Sequence, residues 1–549
     1  MSSIGTFGSF TTARLGIYAA QHGLSITGNN ISNINTQGYT RQRLDQISLS
    51  ASVNDRYASD FDLRIGYGAL CTGISQIRDP FLDIRYRNEL SSMQSMDTKL
   101  SGLNDLAGIL DEIFDGDEQK NGVIEAQFMD FINKLQGLSQ HPGQKDYESQ
   151  LQSSAKALTA LFNTYSKKLE DLVHNTETQF KQDKDTVNDI LKNIGELNSA
   201  IRKSEIHGDN ALEMRDERNR LIDELSKHVK IDVTYEQEPI GAGQTVEKLV
   251  IKLGNANPDP KVTTDSSTLI DGSYFTQFEN SPAPNDNYNL TLGELTDSRG
   301  NKQPNSKKIA LDDNDLLGSL QSIRELLTES GEFASQDTID KVDEKAAIKK
   351  GIPYYQKSLD LLANQFAAIF NGANTDATVP NKGGPLFSNS GDGNDTTGIT
   401  AGNISISAKW AKGEIGVVGS WDANAGSTDN KNILHMLSLM EKSLDFDPKK
   451  VSPDAASNLL FKGTFQEMLG NISSVLGNDQ RSTNIQLRTF HASAVELDTS
   501  RMSVSSVDLN DEAANLMQYQ QSYSAACRVM TTLDETLDKL INGTGMVGR

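Results

Sequence analysis

Residues 507–540, VDLNDEAANLMQYQQSYSAACRVMTTLDETLDKL, repeat apolar side chains every seven positions. One heptad position holds Leu509, Leu516, Tyr523, Met530 and Leu537, and the complementary position holds Tyr519, Ala526, Leu533 and Leu540. Only Glu512 interrupts the stripe. Heptads of this kind are typical of helices that pack along a narrow seam. The C-terminal segment is therefore predicted to be a helix that needs a partner.

The N-terminal segment supplies a matching pattern. Apolar or small residues recur there at alternating steps of three and four: Phe10, Ala13, Ile17, Ala20, Leu24, Thr27, Ile31 and Ile34. The same helix carries Gly16, Gly23 and Gly28, each costing about 1 kcal/mol relative to Ala. Such a helix is marginal alone and gains stability by packing. We predict that residues 1 to about 60 and 500–549 are disordered in the monomer and order on assembly; a helical core within one folded monomer is the alternative.

Residues 35–43, NTQGYTRQR, follow this helix and could be a phosphate loop, a catalytic corner or a structural exit. An anion-binding loop should precede a helix, whose N-terminal amides point at the phosphate. Here the order is reversed, which disfavours phosphate binding. Gly38 is predicted to end the helix. The residues after it alternate as in an extended segment, with Tyr39, Arg41 and Arg43 exposed and available to neighbouring chains.

The middle of the chain begins with a long helix and continues into β-rich segments. Apolar positions at helical spacing run from Leu151 to Ile201, implying one helix of about fifty residues and roughly 75 Å. HGDN (207–210) turns the chain into a returning helix. Nine of the thirteen prolines lie between Pro239 and Pro385, in a loop-rich region with β-type alternation.

The predicted fold class is multidomain α+β with discontinuous domains. A terminal α-helical coiled coil and a long-helix bundle carry β-rich inserted domains. The second insert holds Trp410 and Trp421, which are predicted to anchor a small core, and helices resume near Asn432 and from about Ala455. The predicted domains are 1–60 with 500–549 (terminal coiled coil), 61–230 with 313–372 and 429–499 (long-helix body), 231–312 (β-rich insert) and 373–428 (variable insert).

Composition excludes several classes of protein. The 549 residues carry a net charge of −22, which argues against a nucleic-acid partner. Cys71 and Cys527 are the only cysteines, so no disulfide framework is expected. The N-terminus has neither a basic start nor an apolar run of signal-peptide length. No segment approaches the ~18 apolar residues of a membrane span. A cleaved signal and a membrane anchor are both disfavoured.

Motifs for chemistry are not found. The seven histidines are scattered, and neither a H-E-x-x-H pattern nor a nucleophile elbow occurs. DGDEQKNGVIEAQF (115–128) enters EF-hand register from Asp117, but Phe128 stands where a bidentate Glu is needed. SGDGND (390–395) has the same weakness. The sequence therefore predicts no enzyme and no catalytic, metal or cofactor-binding residues.

Two terminal motifs resemble the signatures of bacterial flagellar axial proteins, the family of rod, hook and hook-associated subunits. NNISNINTQGYTRQ (29–42) matches one of them at Asn30, Asn33, Asn35, Gly38 and Tyr39, with Gln37 where the family often has Pro. DEAANLMQYQQSY (511–523) matches the other. Three internal segments are similar to hook-associated members: GYGALCTGISQIRDPFLDIRYR (66–87), ALEMRDERNRLIDELSKHVKIDV (211–233) and DLLANQFAAIFNGAN (360–374).

The resemblance implies a structural role outside the cell, as a mechanical adaptor between hook and filament. Its implied partners are further copies of itself in a tube, hook protein, the next hook-associated protein, the flagellin filament and an export chaperone on the C-terminal helix. Export would use the flagellar type III route without a cleaved signal peptide. The alternatives are another axial component, of hook or distal rod type, or a secreted enzyme carried on flagellar-type termini.

The predicted assembly-interface residues come from both ends of the chain. They are Ile17, Leu24, Asn30, Ile31, Asn33, Gly38, Tyr39, Arg41, Arg43, Leu509, Leu516, Tyr519, Tyr523, Met530, Leu533, Leu537 and Leu540. The aliphatic and aromatic members lie on the two heptad stripes. The polar members surround the exit from the first helix.

Overall fold

A computed structural model describes residues 6–49, 68–114, 122–241, 244–254, 267–280, 288–311, 316–375, 383–389, 393–422, 426 and 428–543. The helices of these residues are α1 Thr6–Ser32, α2 Pro80–Phe114, α3 Val123–Gln140, α4 Lys145–Ile206, α5 Leu212–His228, α6 Ser319–Thr328, α7 Gln336–Lys341, α8 Ile352–Ala373, α9 Ala408–Ala411, α10 Lys431–Glu441, α11 Phe465–Ser505 and α12 Leu509–Gly543.

The strands form small antiparallel sheets. They are β1 Gln42–Ser48, β2 Ala69–Gln76, β3 Ile231–Gly241, β4 Gln244–Leu253, β5 Thr268–Asp271, β6 Tyr274–Phe275, β7 Phe278–Asn280, β8 Leu290–Leu292, β9 Ile309–Ala310, β10 Phe387–Asn389, β11 Ile404–Ile406, β12 Leu444–Phe446 and β13 Phe461–Gly463. The sheets are β1–β2, β3–β4–β5–β6, β7–β8–β9, β10–β11 and β12–β13. Helices flanking β-rich inserts confirm the predicted α+β class.

The two ends of the chain lie together, as the heptads predict. Helix α1 packs along α12, and α2 packs along α11. Helices α1 and α12 are antiparallel, because Gly16 and Gly23 lie beside Ala526 and Tyr519 in reverse order. Helices α2 and α11 are also antiparallel, because Asn104 contacts Gln480 while Tyr86 contacts Arg501. A break of three residues separates α11 from α12, and the side chain of Asp508 caps the new helix by accepting from the backbone N–H of Asn510 at 2.7 Å.

The predicted long helix is confirmed and is longer than expected. Helix α4 has 62 residues, or about 93 Å at 1.5 Å per residue. Its first half, from Leu151 to Leu172, belongs to a large core shared with α2, α3, α8 and α11. Its second half, from Phe180 to Ile194, belongs to a core shared with α5, α6 and the β3–β6 sheet. One continuous helix thus joins the two cores.

The predicted separate core around the tryptophans is wrong. Trp410 is buried in the large helical core, with its ring 6.0 Å from that of Phe387. Phe387 in turn lies 5.0 Å from Phe366 of α8. Trp421 donates from Nε1 to the Ala373 carbonyl at the end of α8. The insert is too short to enclose a core, so its aromatic side chains pack onto the helices instead.

The last long helix begins later than predicted. It starts at Phe465 rather than near Ala455, because Thr464 and Glu467 form a reciprocal capping box there. The β12–β13 ribbon occupies part of the preceding segment. The returning helix after HGDN is confirmed as α5, and Ala211 before it adopts a left-handed φ of 49°.

Within the described ranges, no helix combines the length and apolar character of a membrane span. The same residues contain no group of three or more His, Cys, Asp or Glu side chains placed to hold a metal ion. Residues 115–121, half of the EF-hand-like stretch, and residues 390–392 of SGDGND lie outside the described residues. Phe128 is buried in the large core.

Candidate assembly site

The two chain ends meet at a polar cluster that we call the terminal joint: Asn30, Tyr39, Arg41, Gln42 and Glu512. Glu512, the residue that interrupts the heptads, is 2% exposed and accepts from Arg41 Nε at 2.8 Å. The backbone N–H of Arg41 also donates to the Ser505 carbonyl, at 2.9 Å. Arg41 thus contacts both sides of the break between α11 and α12. The heptad break is a specific attachment point and not a flaw in the seam.

Asn30 fastens the end of α1 to β1. Its Oδ1 accepts from the backbone N–H of Gln42 at 3.0 Å, and its Nδ2 donates to the Gln42 carbonyl at 2.9 Å. The carboxamide therefore satisfies both backbone groups of one strand residue. Asn30 is 1% exposed, and a buried amide must keep both bonds. The angle between α1 and β1 is fixed by this pair of bonds.

Tyr39 and Arg41 are used within the chain, so their predicted exposure is wrong. Tyr39 is half-buried and donates from its hydroxyl to Asn30 Oδ1 at 2.8 Å. Burial, followed by the nearby carboxylates of Asp216, Glu213 and Glu512, raises the pKa of Tyr39. The phenol therefore stays a donor at neutral pH. Arg43 is exposed, and its predicted contact with a neighbouring chain stays a prediction.

Gly38 does not end α1. The helix ends at Ser32, and turns through Asn33 and Thr36 follow, with the Asn33 side chain donating to the Asn29 carbonyl at 3.0 Å. Asn side chains compete with helical backbone bonds, which explains the earlier end. Gly38 ends the turns with φ of 83°, a conformation that L side chains rarely adopt.

The seam between α1 and α12 depends on close backbone approach. A Cβ at Gly23 would lie 2.6 Å from carbons of the Tyr519 ring. A Cβ at Gly16 would lie 3.6 Å from Ala526 Cβ, an ordinary contact. Gly23 is therefore the residue that admits Tyr519. Gly23 thus has a packing role that the sequence pattern alone did not reveal.

The predicted heptad residues are only partly covered within one chain. Half-buried members are Ile17, Leu24, Ile31, Leu516, Tyr519, Tyr523, Met530, Leu533 and Leu537. Leu509 and Leu540 remain 53% and 57% exposed, and Met517, Val529 and Ile541 of α12 are also at least half exposed. These exposed apolar side chains are distributed around α12 and do not form one stripe. The heptad side chains of the terminal pair are thus incompletely covered within one chain.

A buried ion-pair cluster below the joint was missed by the sequence reasoning. Asp223 of α5 accepts from Arg87 Nε of α2 at 2.7 Å and from Arg501 Nη1 of α11 at 2.6 Å. Burial opposes ionisation of Asp223, but the two arginines hold its pKa below the usual value. Arg501 also stacks 4.1 Å from the Tyr86 ring centroid. One carboxylate therefore joins three helices. Because Arg87, Asp223 and Arg501 are far apart in sequence, no local motif predicts that they meet.

Comparisons with known proteins agree with this architecture. The model of the flagellar hook-associated protein FlgK helical domain matches residues 108–387, just over half of the chain. The model of the flagellar basal body rod FlgEFG protein C-terminal region matches residues 499–543, which include α12. The two matches cover the long helical body and the C-terminal heptads separately.

Whole-chain relatives are similar over nearly their full length. The chain is 27% identical to flagellar hook-associated protein 1 of Bacillus subtilis (strain 168), covering 99% of both chains. It is 23% identical to flagellar hook-associated protein 1 of Escherichia coli (strain K12), covering 96% of this chain and 98% of that one.

A solved structure supports the fold. The flagellar hook junction protein FlgK from Burkholderia pseudomallei aligns with a TM-score of 0.51 at 13% identity, over 77% of this chain and 100% of that chain. At this identity the likeness concerns the fold alone. Together with the family model that spans half of the sequence, these findings lead to one assignment: the chain belongs to the flagellar hook-associated protein FlgK family.

Proposed function

We propose that this chain is a structural subunit of the extracellular hook–filament junction of the bacterial flagellum. The match of the FlgK helical domain to residues 108–387 carries the proposal, and relatives that are similar along the whole chain bear the name hook-associated protein 1. The family is a structural one, so the chain acts by assembly and not by catalysis. Its task is to join two tubes of different subunits so that a filament can grow.

The incompletely covered heptad side chains of the terminal pair support assembly into a tube. Copies of this chain would bury the exposed side chains of α12, including Leu509 and Leu540, against neighbouring helices. Burial of apolar surface contributes about 25 cal/mol per Å². The hook protein would contact one end of this ring, and the next hook-associated protein and the flagellin filament would lie beyond the other.

The terminal joint supports a mechanical role. Asn30 and Arg41 fix β1 against α1 and against the α11–α12 break, while Asp223 fixes α2, α5 and α11 to one another. Force applied to the terminal pair therefore reaches α5, whose Arg215 and Arg218 bond to Glu205 and Asn198 of α4. A continuous helix of 62 residues then transmits that force along the body.

Export and domain division complete the proposal. The chain would pass through the flagellar type III export route without a cleaved signal, with a chaperone holding α12 until assembly. The exposed apolar side chains of α12 are consistent with such a partner. We assign 1–60 with 500–549 to the terminal assembly domain, 61–230 with 313–372 and 429–499 to the helical body, and 231–312 and 373–428 to inserts.

Deletion of the gene tests this function by electron microscopy. The expected cells carry hooks without filaments and release flagellin into the medium, and the native gene restores filaments. Cells that lack hooks as well would instead indicate a hook or distal rod subunit. Normal filaments would contradict the junction role.

Variant genes introduced into the deletion strain test whether the terminal joint is needed for this function. Glu512→Arg places a second cation against Arg41 in a buried position and should fail to restore filaments. Glu535→Arg changes the charge of an exposed residue on the same helix and should restore them. If both variants restored filaments equally well, the terminal joint would not be needed for filament assembly.

A further inference from the structure

Residues 330–350 form a loop that leaves the end of α6, carries α7 and returns to the start of α8. The two ends of the loop are bonded to each other, because the Glu329 carbonyl accepts from the Gly351 N–H at 3.0 Å. A Cβ at Gly351 would lie 2.5 Å from the Glu325 carbonyl oxygen, so the returning chain touches the backbone of α6. The loop is therefore closed at its base.

The two halves of this loop are attached to the helical body differently. In the first half, Phe333 is 2% exposed and belongs to the large helical core. In the second half, residues 336–348, the buried members among the described side chains are Asp343 and Ala346, whereas Ile348 is 76% exposed. A segment that buries so little apolar area is the kind that opens locally. Its attachment therefore depends on Asp343.

One lysine connects Asp343 to α6. Lys349 Nζ lies 2.8 Å from Asp343 Oδ2 and 2.8 Å from Glu325 Oε1. Arg324, which is 2% exposed, adds a second positive charge from α6. The cluster then holds two cations and two anions, so its charges balance. This balance matters because a buried charge without a counter-charge is costly.

Glu329 adds a third carboxyl group to this cluster. The charged groups that act on it come from both sides, Arg324 and Glu325 from α6 and Asp343 and Lys349 from the loop. Burial raises the pKa of Glu329 from 4.5 to about 7; Lys349 opposes this rise, and Glu325 and Asp343 add to it. When Glu329 is protonated, the charges of the cluster balance. When it is ionised, three anions face two cations.

We infer that Glu329 controls a proton-dependent latch: protonated, it leaves residues 336–348 attached to the body, and ionised, it releases them. The ionised carboxylate competes with Asp343 for Lys349. Asp343 is then buried without a full counter-charge, and release of the segment removes that cost. The latch does not depend on the proposed junction role, because it rests on contacts within one chain.

Attachment of this segment should weaken as the pH rises. The attached state holds the Glu329 proton more tightly than the released state, in which the carboxyl group returns to its ordinary pKa of 4.5. The contribution to attachment is therefore complete below that value and is lost as the pH rises through about 7. From these two values, the ratio of released to attached chains should rise about tenfold between pH 6 and pH 8.

Hydrogen exchange with mass spectrometry on the full chain measures this release. Protection factors are determined at pH 6 and pH 8 after correction for the intrinsic effect of pH on amide exchange. Peptides within 336–348 should lose about tenfold in protection between the two values. At both, they should be at least about a hundredfold less protected than the middle of α4, because release is local. A loss below twofold, or protection equal to that of α4, would overturn the inference.

Glu329→Gln tests the residue that carries the argument. The amide is a neutral replacement for the protonated acid, so protection of 336–348 should match that of the native chain at pH 6 and fall less than twofold by pH 8. Glu344→Gln is the matched control, because Glu344 is exposed in the same segment, and it should keep the tenfold loss. Equal pH dependence in the native chain and in Glu329→Gln would also overturn the inference.

The pH profile of the native chain provides a test that needs no variant. Protection of 336–348 should fall between pH 5 and pH 7 and level off by pH 8, once Glu329 is ionised in both states. A loss that continues unchanged to pH 9, or one that begins only above pH 8, would contradict the latch even if Glu329→Gln failed to fold. Filament formation in cells tests the junction role independently.

Discussion

The terminal pair and the helical body are built from the same kind of element but are stabilised differently. Helices α2, α3, α4, α8 and α11 enclose aromatic rings such as Phe128, Phe162 and Phe366, all fully or nearly fully buried. Helices α1 and α12 meet over glycine, alanine and tyrosine, with most seam residues half-buried. We expect the body to fold on its own core and the terminal pair to gain much of its burial from neighbouring subunits. Stability and assembly would then depend on different helices.

Truncation of a body aromatic should have the largest effect on the monomer. Phe366 contacts the rings of Phe128, Phe131, Phe370 and Phe387. Phe366→Ala should lower the free energy of unfolding by about 3–5 kcal/mol, because it removes a buried ring and leaves a cavity. Chemical denaturation measures this change.

Truncation of a leucine in the α1–α12 seam is the comparison for Phe366→Ala in the helical body. Leu516 is half-buried between α12 and α1. Leu516→Ala should lower the same free energy by about 1–2 kcal/mol in the monomer, less than Phe366→Ala, since the side chain is only partly buried and leaves no enclosed cavity. A loss as large as that of Phe366→Ala would contradict the division between body and terminal pair.

A larger side chain at Gly23 should separate assembly from monomer stability. Gly23→Val places methyl groups against the Tyr519 ring, where even a Cβ would lie at 2.6 Å. The variant should not restore filaments in a deletion strain, while the thermal unfolding midpoint of the body changes by less than about 2 °C, because that core is untouched. Restored filaments together with a large drop in the thermal unfolding midpoint would contradict this prediction.

A buried carboxylate of the body should make stability depend on pH. Asp360 of α8 accepts from the Ala401 N–H at 2.8 Å, and burial raises its pKa from 3.8 to about 6, against the opposing effects of that bond and Lys357. Between these values the folded chain binds more protons than the unfolded chain. The contribution of Asp360 to stability therefore falls as pH rises through this window and stays low above it.

Asp360→Asn tests this linkage. The amide oxygen can still accept from Ala401, and the cost of burying a charge is removed. The variant should be more stable than the native chain by about 1–3 kcal/mol at pH 7.5 and should show no gain near pH 4. Asp445→Asn, at an exposed position, is the control. A gain of equal size at both pH values would contradict the assignment.

The smallest expected effect concerns a glycine without a contact. A Cβ at Gly28 would meet nothing within 4 Å. Gly28→Ala should therefore stabilise α1 by about 1 kcal/mol and leave assembly intact. Faster filament recovery in the deletion strain, or slower amide exchange in α1, measures the gain. Loss of filaments would show that the backbone of α1 must approach another chain at this position.

Periodicity predicted the helices well because it reports burial along one element. The heptads of α12, the length of α4 and the turn at HGDN all follow from local spacing. The same reasoning failed where residues far apart in sequence meet. Tyr39 was predicted to be exposed because its partner, Asn30, lies across a turn, and Trp410 was given its own core because its neighbours belong to α8.

The terminal joint shows where a sequence signal existed but was not used. A single acidic residue in an otherwise apolar stripe, Glu512, indicates a buried partner of opposite charge. Arg41 could have been its candidate. The arginines around Asp223 offered no such signal, because α2, α5 and α11 come together only through the packing of the whole body.

Hydrogen exchange on the monomer and on the assembled tube tests the central claim most directly. The account predicts that amides of α1 and α12 exchange quickly in the monomer and become protected in the tube. It predicts that amides in the middle of α4 are protected in both states. Strong protection throughout α1 and α12 in the monomer would contradict it, because the terminal pair would then be stable without its neighbours.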